Sequence, residues 1–129
     1  ARGALEEAVA YSADRSAFGK PIFKHQAVSF MLADMATKID AARLLTWRAA
    51  LKCDSGHRNT LEAAHAKRFA ADMAMEVTTD AVQIFGGYGY SEEYPVARRM
   101  RGAKVVQIFE GSSQIQRLII GREMLRESK

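Results

Sequence analysis

One cysteine, one tryptophan and two prolines among 129 residues leave several kinds of protein out. Cys53 has no second cysteine to pair with, so a disulfide framework is excluded, and the usage is what a reducing compartment permits. No uninterrupted apolar run approaches the ~20 residues of a membrane-spanning helix, and no segment is built like a signal peptide. Strand-period alternation of useful length, internal repeats and low-complexity linkers are missing as well. His25, His57 and His65 fall at no metal-ligand spacing with Cys53, so no metal is expected. There is no nucleophile elbow, and no serine has a base at a diagnostic distance.

What is present describes a globular domain. Apolar residues make up 48% and charged residues 26% of the chain, and the length suits one domain with its own core. Nineteen Lys and Arg against fifteen Asp and Glu give a formal charge of +4, which would suit an anionic ligand. The basic residues are spread, and the cluster Arg98-Arg99-Met100-Arg101 with Lys104 lacks the interleaved aromatics of a single-strand binder. Nucleic-acid binding is not expected. The chain starts at Ala1 without an initiator Met, as a piece of something longer would.

Helical periodicity runs through the sequence. Leu5, Ala8, Val9 and Ser12 form one stripe, predicting a helix that stops near Phe18-Gly19-Lys20-Pro21. From Gln26 to about Lys52, apolar residues from Val28 to Leu51, with Met31, Met35, Ile39, Trp47 and Ala50 among them, recur mostly at three- and four-residue steps. Asp54-Ser55-Gly56 closes that helix, and Asn59 with Glu62 reads as a reciprocal cap for a third helix ending at Gly86-Gly87. Gly86 to Ser91 reads as a glycine-rich loop, and Pro95 opens a short helix towards Met100. A β-branched run, Val105 to Phe109, then leads to a last helix from about Ser113 to Arg126 with Ile115, Leu118, Ile119 and Met124 inward. The connection between the two long helices is too short to cross either one, so they must lie antiparallel. The expected fold is all-α, an antiparallel four-helix up-and-down bundle with a short extra helix.

Among candidate chemical groups Glu110 stands out. It follows an apolar run, precedes a glycine that would leave room for a ligand, and lies just before a helix start. Desolvation by that run would raise its pKa and make it a better proton acceptor, while the helix N-terminus would pull the other way. The competing reading is a plain helix cap. Gly86-Gly87-Tyr88-Gly89 could cradle a phosphate through backbone N–H groups, or simply end a helix. Arg15 offers a bidentate fork to a phosphate, or is a solvated charge at a helix end.

Three segments together carry more. Asp14-Arg15-Ser16-Ala17-Phe18-Gly19-Lys20-Pro21-Ile22, then Gln83-Ile84-Phe85-Gly86-Gly87-Tyr88-Gly89-Tyr90 with Tyr94-Pro95-Val96, then Gln107-Ile108-Phe109-Glu110-Gly111-Ser112-Ser113-Gln114-Ile115-Gln116-Arg117 resemble, in order and spacing, the C-terminal domain of acyl-CoA dehydrogenases. The resemblance covers essentially the whole of residues 1–129 and implies one such domain of a longer enzyme, whose other domains precede it. It implies α,β-dehydrogenation of acyl-CoA thioesters, with Glu110 as the base that takes the α proton, Gly111 admitting the substrate, and a hydride passing to FAD. By residue matching, Arg15, Ser16, Ala17, His25 and Gln26 would contact FAD of a neighbouring subunit. Gln83, Ile84, Phe85, Gly86 and Gly87 would pack against the dinucleotide, and Ser112, Ser113 and Gln114 would lie beside the cofactor. The implied partners are an acyl-CoA substrate, electron-transfer flavoprotein as electron acceptor, and further copies of the chain in a homotetramer. The implied compartment is the cytoplasm of a bacterium or the mitochondrial matrix of a eukaryote. Ala17 departs from the polar residue of many members and Phe109 from a frequent Tyr, while Gln114-Ile115-Gln116 leans towards the medium-chain type. A helical oligomerisation module without chemistry and an acyl-CoA oxidase relative are the alternatives.

Overall fold

The computed structural model describes residues 1–127, and among them the all-α expectation holds. Helix α1 spans Arg2–Asp14, followed by a two-stranded ribbon, β1 (Ser16–Ala17) and β2 (Lys20–Pro21), and a single 3-10 turn, Ile22–Lys24. The long helices α2 (Gln26–Asp54) and α3 (Thr60–Phe85) form an antiparallel pair. One turn of helix, α4 (Gly87–Tyr90), then α5 (Val96–Val106) and α6 (Ser113–Glu127) complete the order. Helix α3 is the axis of the domain: α2, α6, α5 and α1 all pack on it.

The core gathers Ala4 and Ala8 of α1, Met35 and Ala42 of α2, Met73, Val77, Ala81, Ile84 and Phe85 of α3, and Val96 of α5. Alanines at these positions let helix backbones approach closely, and the flexible methionines fill the irregular space that remains. Outside the core, Arg99 on α5 forms a forked ion pair with Glu7 on α1, its Nε 2.8 Å from Glu7 Oε2. The same guanidinium lies over Gly3, 2.8 Å from where a β-carbon would stand. A side chain at position 3 would push it away.

Several local expectations change. Helix α1 ends at Asp14, not near Phe18, because the chain turns back as a hairpin with Ser16 opposite Pro21 and Ala17 opposite Lys20. Gly86 to Ser91 is not a loop throughout, since Gly87–Tyr90 makes a helical turn. The helix that Pro95 opens continues past Met100 to Val106, taking in the start of the β-branched run. Asn59 does stand at the N-cap of α3, yet its side chain makes no capping bond and donates instead to the Ala49 carbonyl at 3.0 Å. Glu62, its expected partner, turns to Lys52 at 2.7 Å and Arg48 at 3.6 Å. A buried carboxylate gains more from a cation across the hairpin than from one backbone amide.

Helix α6 departs most. Ile115, Leu118 and Met124, expected inward, are 48%, 70% and 60% exposed, whereas Ser113, Gln116 and Glu123 are buried. Polar contacts hold this helix at both ends: Ser113 and Arg117 bond to Asp72, and Glu123 receives Arg58 at 2.8 Å.

Candidate functional site

Two of the three sequence segments meet in one cleft. The chain leaves α1 at Arg15, whose backbone N–H donates to the Tyr11 carbonyl at 2.8 Å and whose carbonyl accepts from Ile22 at 2.8 Å. Between these bonds the ribbon reverses at Phe18 and Gly19, with φ of 51° and 77°. Two successive positive φ values match the twist of a two-residue hairpin, which normally selects Asn or Gly rather than Phe. His25 supports the ribbon: its Nε2 lies 3.1 Å from the Ala17 carbonyl, which can only accept, so that nitrogen carries the proton. Phe18 meets the His25 ring edge-on at 6.0 Å and is 96% exposed.

The cleft measures about 520 Å³ and is lined by Tyr11, Arg15, Ile22, Ile84, Phe85, Gly86, Gly87 and Tyr88. Tyr11 stacks on Phe85, ring centroids 4.0 Å apart and 15° from parallel, and the Arg15 guanidinium stands 5.7 Å from the Tyr88 ring centre. Burial raises the Tyr11 hydroxyl pKa above its ordinary value, against a downward pull from Arg15. Gly86 has φ 62° and ψ −138°, a backbone region for glycine alone, and a β-carbon built on Gly86 or Gly87 would meet nothing within 4 Å. Of the expected residues, Arg15, Ile84, Phe85, Gly86 and Gly87 line this cleft. Ser16, Ala17, His25 and Gln26 belong to the ribbon and the start of α2 beside it, and Gln83 is exposed on the last turn of α3. Tyr11 also lines it, one helical turn before Arg15 and without a sequence signal of its own, as do Ile22 and Tyr88, which lie inside the quoted segments without an individual role.

The third segment sits elsewhere. It is anchored at Asp72, and Asp72 and Phe85 stand on one helix ~20 Å apart at 1.5 Å per residue. After α5 the amides of Ile108 and Phe109 both donate to the Val105 carbonyl at 3.0 Å. Glu110 and Gly111 then take φ of 50° and 89°, and the Ser113 amide closes back on the Gln107 carbonyl at 3.0 Å. Asp72 Oδ1 accepts from Ser113 Oγ at 2.8 Å and Gln107 Nε2 at 2.9 Å, while Asp72 Oδ2 accepts from Arg117 Nη2 at 2.8 Å and faces Arg68 Nε at 3.4 Å. Burial pushes the Asp72 pKa up, but the bonds from Ser113 and Gln107 and the charges of Arg117 and Arg68 outweigh it and hold the group below its ordinary value. Lys67, also on α3, donates to the Val106 carbonyl and lies 5.1 Å from the centre of the Phe109 ring.

Glu110 itself is at the tip of this turn. Its side chain is exposed and makes no hydrogen bond or ion pair among the described residues. The expected desolvation is therefore not supplied by this chain: Val105, Ile108 and Phe109 are 52%, 62% and 44% exposed and do not bury the carboxylate. Nor is Glu110 the cap of α6, because Ser112 Oγ takes that place, 3.4 Å from the Ile115 amide. Gly111 does not open a gap either. The position its β-carbon would occupy is filled by Gln116 Nε2, which donates to the Gly111 carbonyl at 3.2 Å. Ser113 is buried with its hydroxyl engaged by Asp72, and Gln114 is exposed. Asp72 and Lys67 carry no signal in the sequence, since a mid-helix Asp or Lys belongs to no motif.

Among the described residues, no group of three or more His, Cys, Asp or Glu is placed to hold a metal ion, and no helix is long and apolar enough to cross a membrane.

The family model "Acyl-CoA dehydrogenase, C-terminal domain" matches residues 1–125. Cyclohexane-1-carbonyl-CoA dehydrogenase of Geobacter metallireducens is 53% identical over 128 residues, which is 99% of this chain and 34% of that protein. The structure of butyryl-CoA dehydrogenase from Megasphaera elsdenii superposes with a TM-score of 0.95 at 57% identity, covering 97% of this chain and 33% of that one. The FAD complex of PigA superposes with a TM-score of 0.91 at 32% identity, covering 94% of this chain and 32% of that one. The chain thus spans about a third of the length of these relatives. The two dehydrogenases are named for a cyclic and a butyryl thioester, not for medium chains.

Proposed function

Because this chain belongs to the acyl-CoA dehydrogenase family as its C-terminal domain, we propose that it is the base-bearing, FAD-contacting part of a longer enzyme that introduces a double bond between the α and β carbons of acyl-CoA thioesters. The supporting observation is the state of Glu110. Its carboxylate has no partner among the described residues, yet its backbone is held at φ 50°, a conformation that L-residues adopt only when the surroundings impose it. A free acid on an imposed backbone is what a proton acceptor needs. The remaining two thirds of a protein of the relatives' length would supply the cover that shields it from water.

In this reading Glu110 takes the α proton of the bound thioester, and Gly111 and Gln116 fix the turn from which it acts. FAD, when bound, supplies the acceptor for the hydride that leaves the β carbon. The cleft of Arg15, Gly86 and Gly87 fits part of such a dinucleotide: a guanidinium for the pyrophosphate, open backbone at two glycines, and flat walls in Tyr88 and the Tyr11–Phe85 pair. Its ~20 Å separation from the Glu110 turn along α3 suits contacts to two cofactors, one of them a neighbouring subunit's. Ser16, Ala17, His25, Gln26 and Gln83 would flank the first, Ser112, Ser113 and Gln114 the second. Exposed apolar side chains on α2 and α6, among them Trp47, Leu51, Leu118 and Leu125 at 57% to 71%, are surface that further copies in a homotetramer would cover. Electron-transfer flavoprotein would then take the electrons, as the family resemblance implies.

The test uses the full-length enzyme. Glu110→Gln is expected to retain FAD and acyl-CoA binding and to lose bleaching of the flavin by substrate, because the amide is nearly isosteric and cannot accept a proton. Bleaching within about tenfold of the unaltered rate contradicts the assignment.

A further inference from the structure

We propose that Asp72, assisted by Lys67, is the positioning residue for Glu110, fixing the backbone from which the carboxylate reaches the substrate; this rests on Glu110 being the base. The geometry is specific. Gln107 and Ser113, the two residues that bond to Asp72 Oδ1, stand three positions before and three positions after Glu110. One carboxylate oxygen therefore ties together both feet of the turn, at 2.9 Å and 2.8 Å. The second oxygen is held by Arg117 at 2.8 Å with Arg68 at 3.4 Å, so Asp72 cannot swing to follow a moving loop. Lys67 adds separate anchors at the Val106 carbonyl and over the Phe109 ring.

What these anchors restrain is under strain. Glu110 and Gly111 both have positive φ, and for Glu110 that conformation relaxes as soon as the feet of the turn can part. Capping of α6 does not explain the arrangement, since Ser112 fills the cap without Asp72. Core packing does not explain it either, because Asp72 bonds to polar side chains that the core does not use. A clamp placed symmetrically about the reacting residue is expected to act on the rate through orientation, where a displacement of about 1 Å costs on the order of 100-fold.

The experiment compares Asp72→Ala, Asp72→Asn and Glu110→Gln in the FAD-loaded full-length enzyme. Asp72→Ala is expected to lower kcat on the order of 100-fold with KM little changed. Amide exchange in residues 107–113 should rise at least about tenfold while α3 stays protected. Asp72→Asn keeps an oxygen for Gln107 and Ser113 but turns an NH2 group towards Arg117 and Arg68, so it should recover part of the loss, which a merely charged surface group would not do. If Asp72→Ala fails to fold, Gln107→Leu, which removes one foot and leaves α3 intact, should lower kcat about tenfold and loosen the same amides. Unchanged kcat or unchanged exchange in 107–113 overturns the proposal. If instead Glu110→Gln retains its rate, the reading of the base falls, and the exchange data alone still decide whether Asp72 holds the turn.

Discussion

The Gln116 side-chain amide occupies the space that a side chain on Gly111 would need, and it donates to the Gly111 carbonyl at 3.2 Å. Gly111 is therefore favoured by its own backbone, at φ 89°, and a side chain there would also have to displace the flexible Gln116 amide. Gly111→Ala is expected to lower stability by roughly 1–2 kcal/mol, mostly from the left-handed conformation, because the Gln116 amide can shift. Thermal denaturation of the two proteins measures this directly; an unchanged midpoint would mean that the turn is not held as described.

Two other glycines should respond with opposite signs. A β-carbon on Gly89 would lie 2.5 Å from the Val82 carbonyl oxygen and 2.8 Å from Phe85 Cβ, neither of which is a flexible tip. Gly89→Ala is expected to cost about 1–3 kcal/mol. Gly102, within α5, has nothing within 4 Å of its would-be β-carbon, and Gly102→Ala should stabilise by about 0.5–1 kcal/mol through helix propensity. Equal effects at the two positions would contradict the packing of α4 on α3.

Helix existence was legible because the punctuation is local: Gly56 ends the first long helix, Gly86 the second, and Pro95 opens α5. The order of the three family segments was legible for the same reason. What failed depends on partners distant in sequence. Asn59 and Glu62 fit a capping pattern, but Lys52 and Arg48 across the hairpin compete for the acid. Apolar periodicity identified α6 without saying which way its stripe faces, and the polar contacts of Ser113 with Asp72 and Glu123 with Arg58 turn it outward. Phe18 gave no hint of a positive φ, since that conformation normally belongs to Asn or Gly. Shielding of Glu110 was inferred from its neighbours in sequence, and those neighbours are exposed.

Acid should expose the Glu62 pair. The bond from Lys52 holds its pKa below the ordinary value, against burial, with Arg48 adding to the pull. A depressed carboxyl contributes stability above its unfolded pKa of about 4.3 and loses it as pH falls through the folded value. Glu62→Gln should therefore cost roughly 1 kcal/mol at neutral pH, discounted because Lys52 is 38% exposed. The difference from the unaltered chain should shrink below about pH 4. A difference that stays constant from pH 7 to pH 3 would show that the pair contributes nothing electrostatic.

The outward apolar surface of α6 gives a test of assembly. Leu118 is 70% exposed, so Leu118→Glu should leave the fold of the domain intact. In the full-length protein it should shift the sedimentation profile towards species smaller than the proposed tetramer, since a charge is costly to bury in an apolar interface. An unchanged profile would exclude this face from the subunit contact.

Proton abstraction can be read apart from hydride transfer. An acyl-CoA analogue with no β hydrogen to lose, bound to the full-length enzyme in deuterated water, should exchange its α hydrogen with solvent. Glu110→Gln should slow that exchange on the order of 100-fold or more at unchanged affinity. Exchange within about tenfold of the unaltered enzyme would show that another group takes the proton.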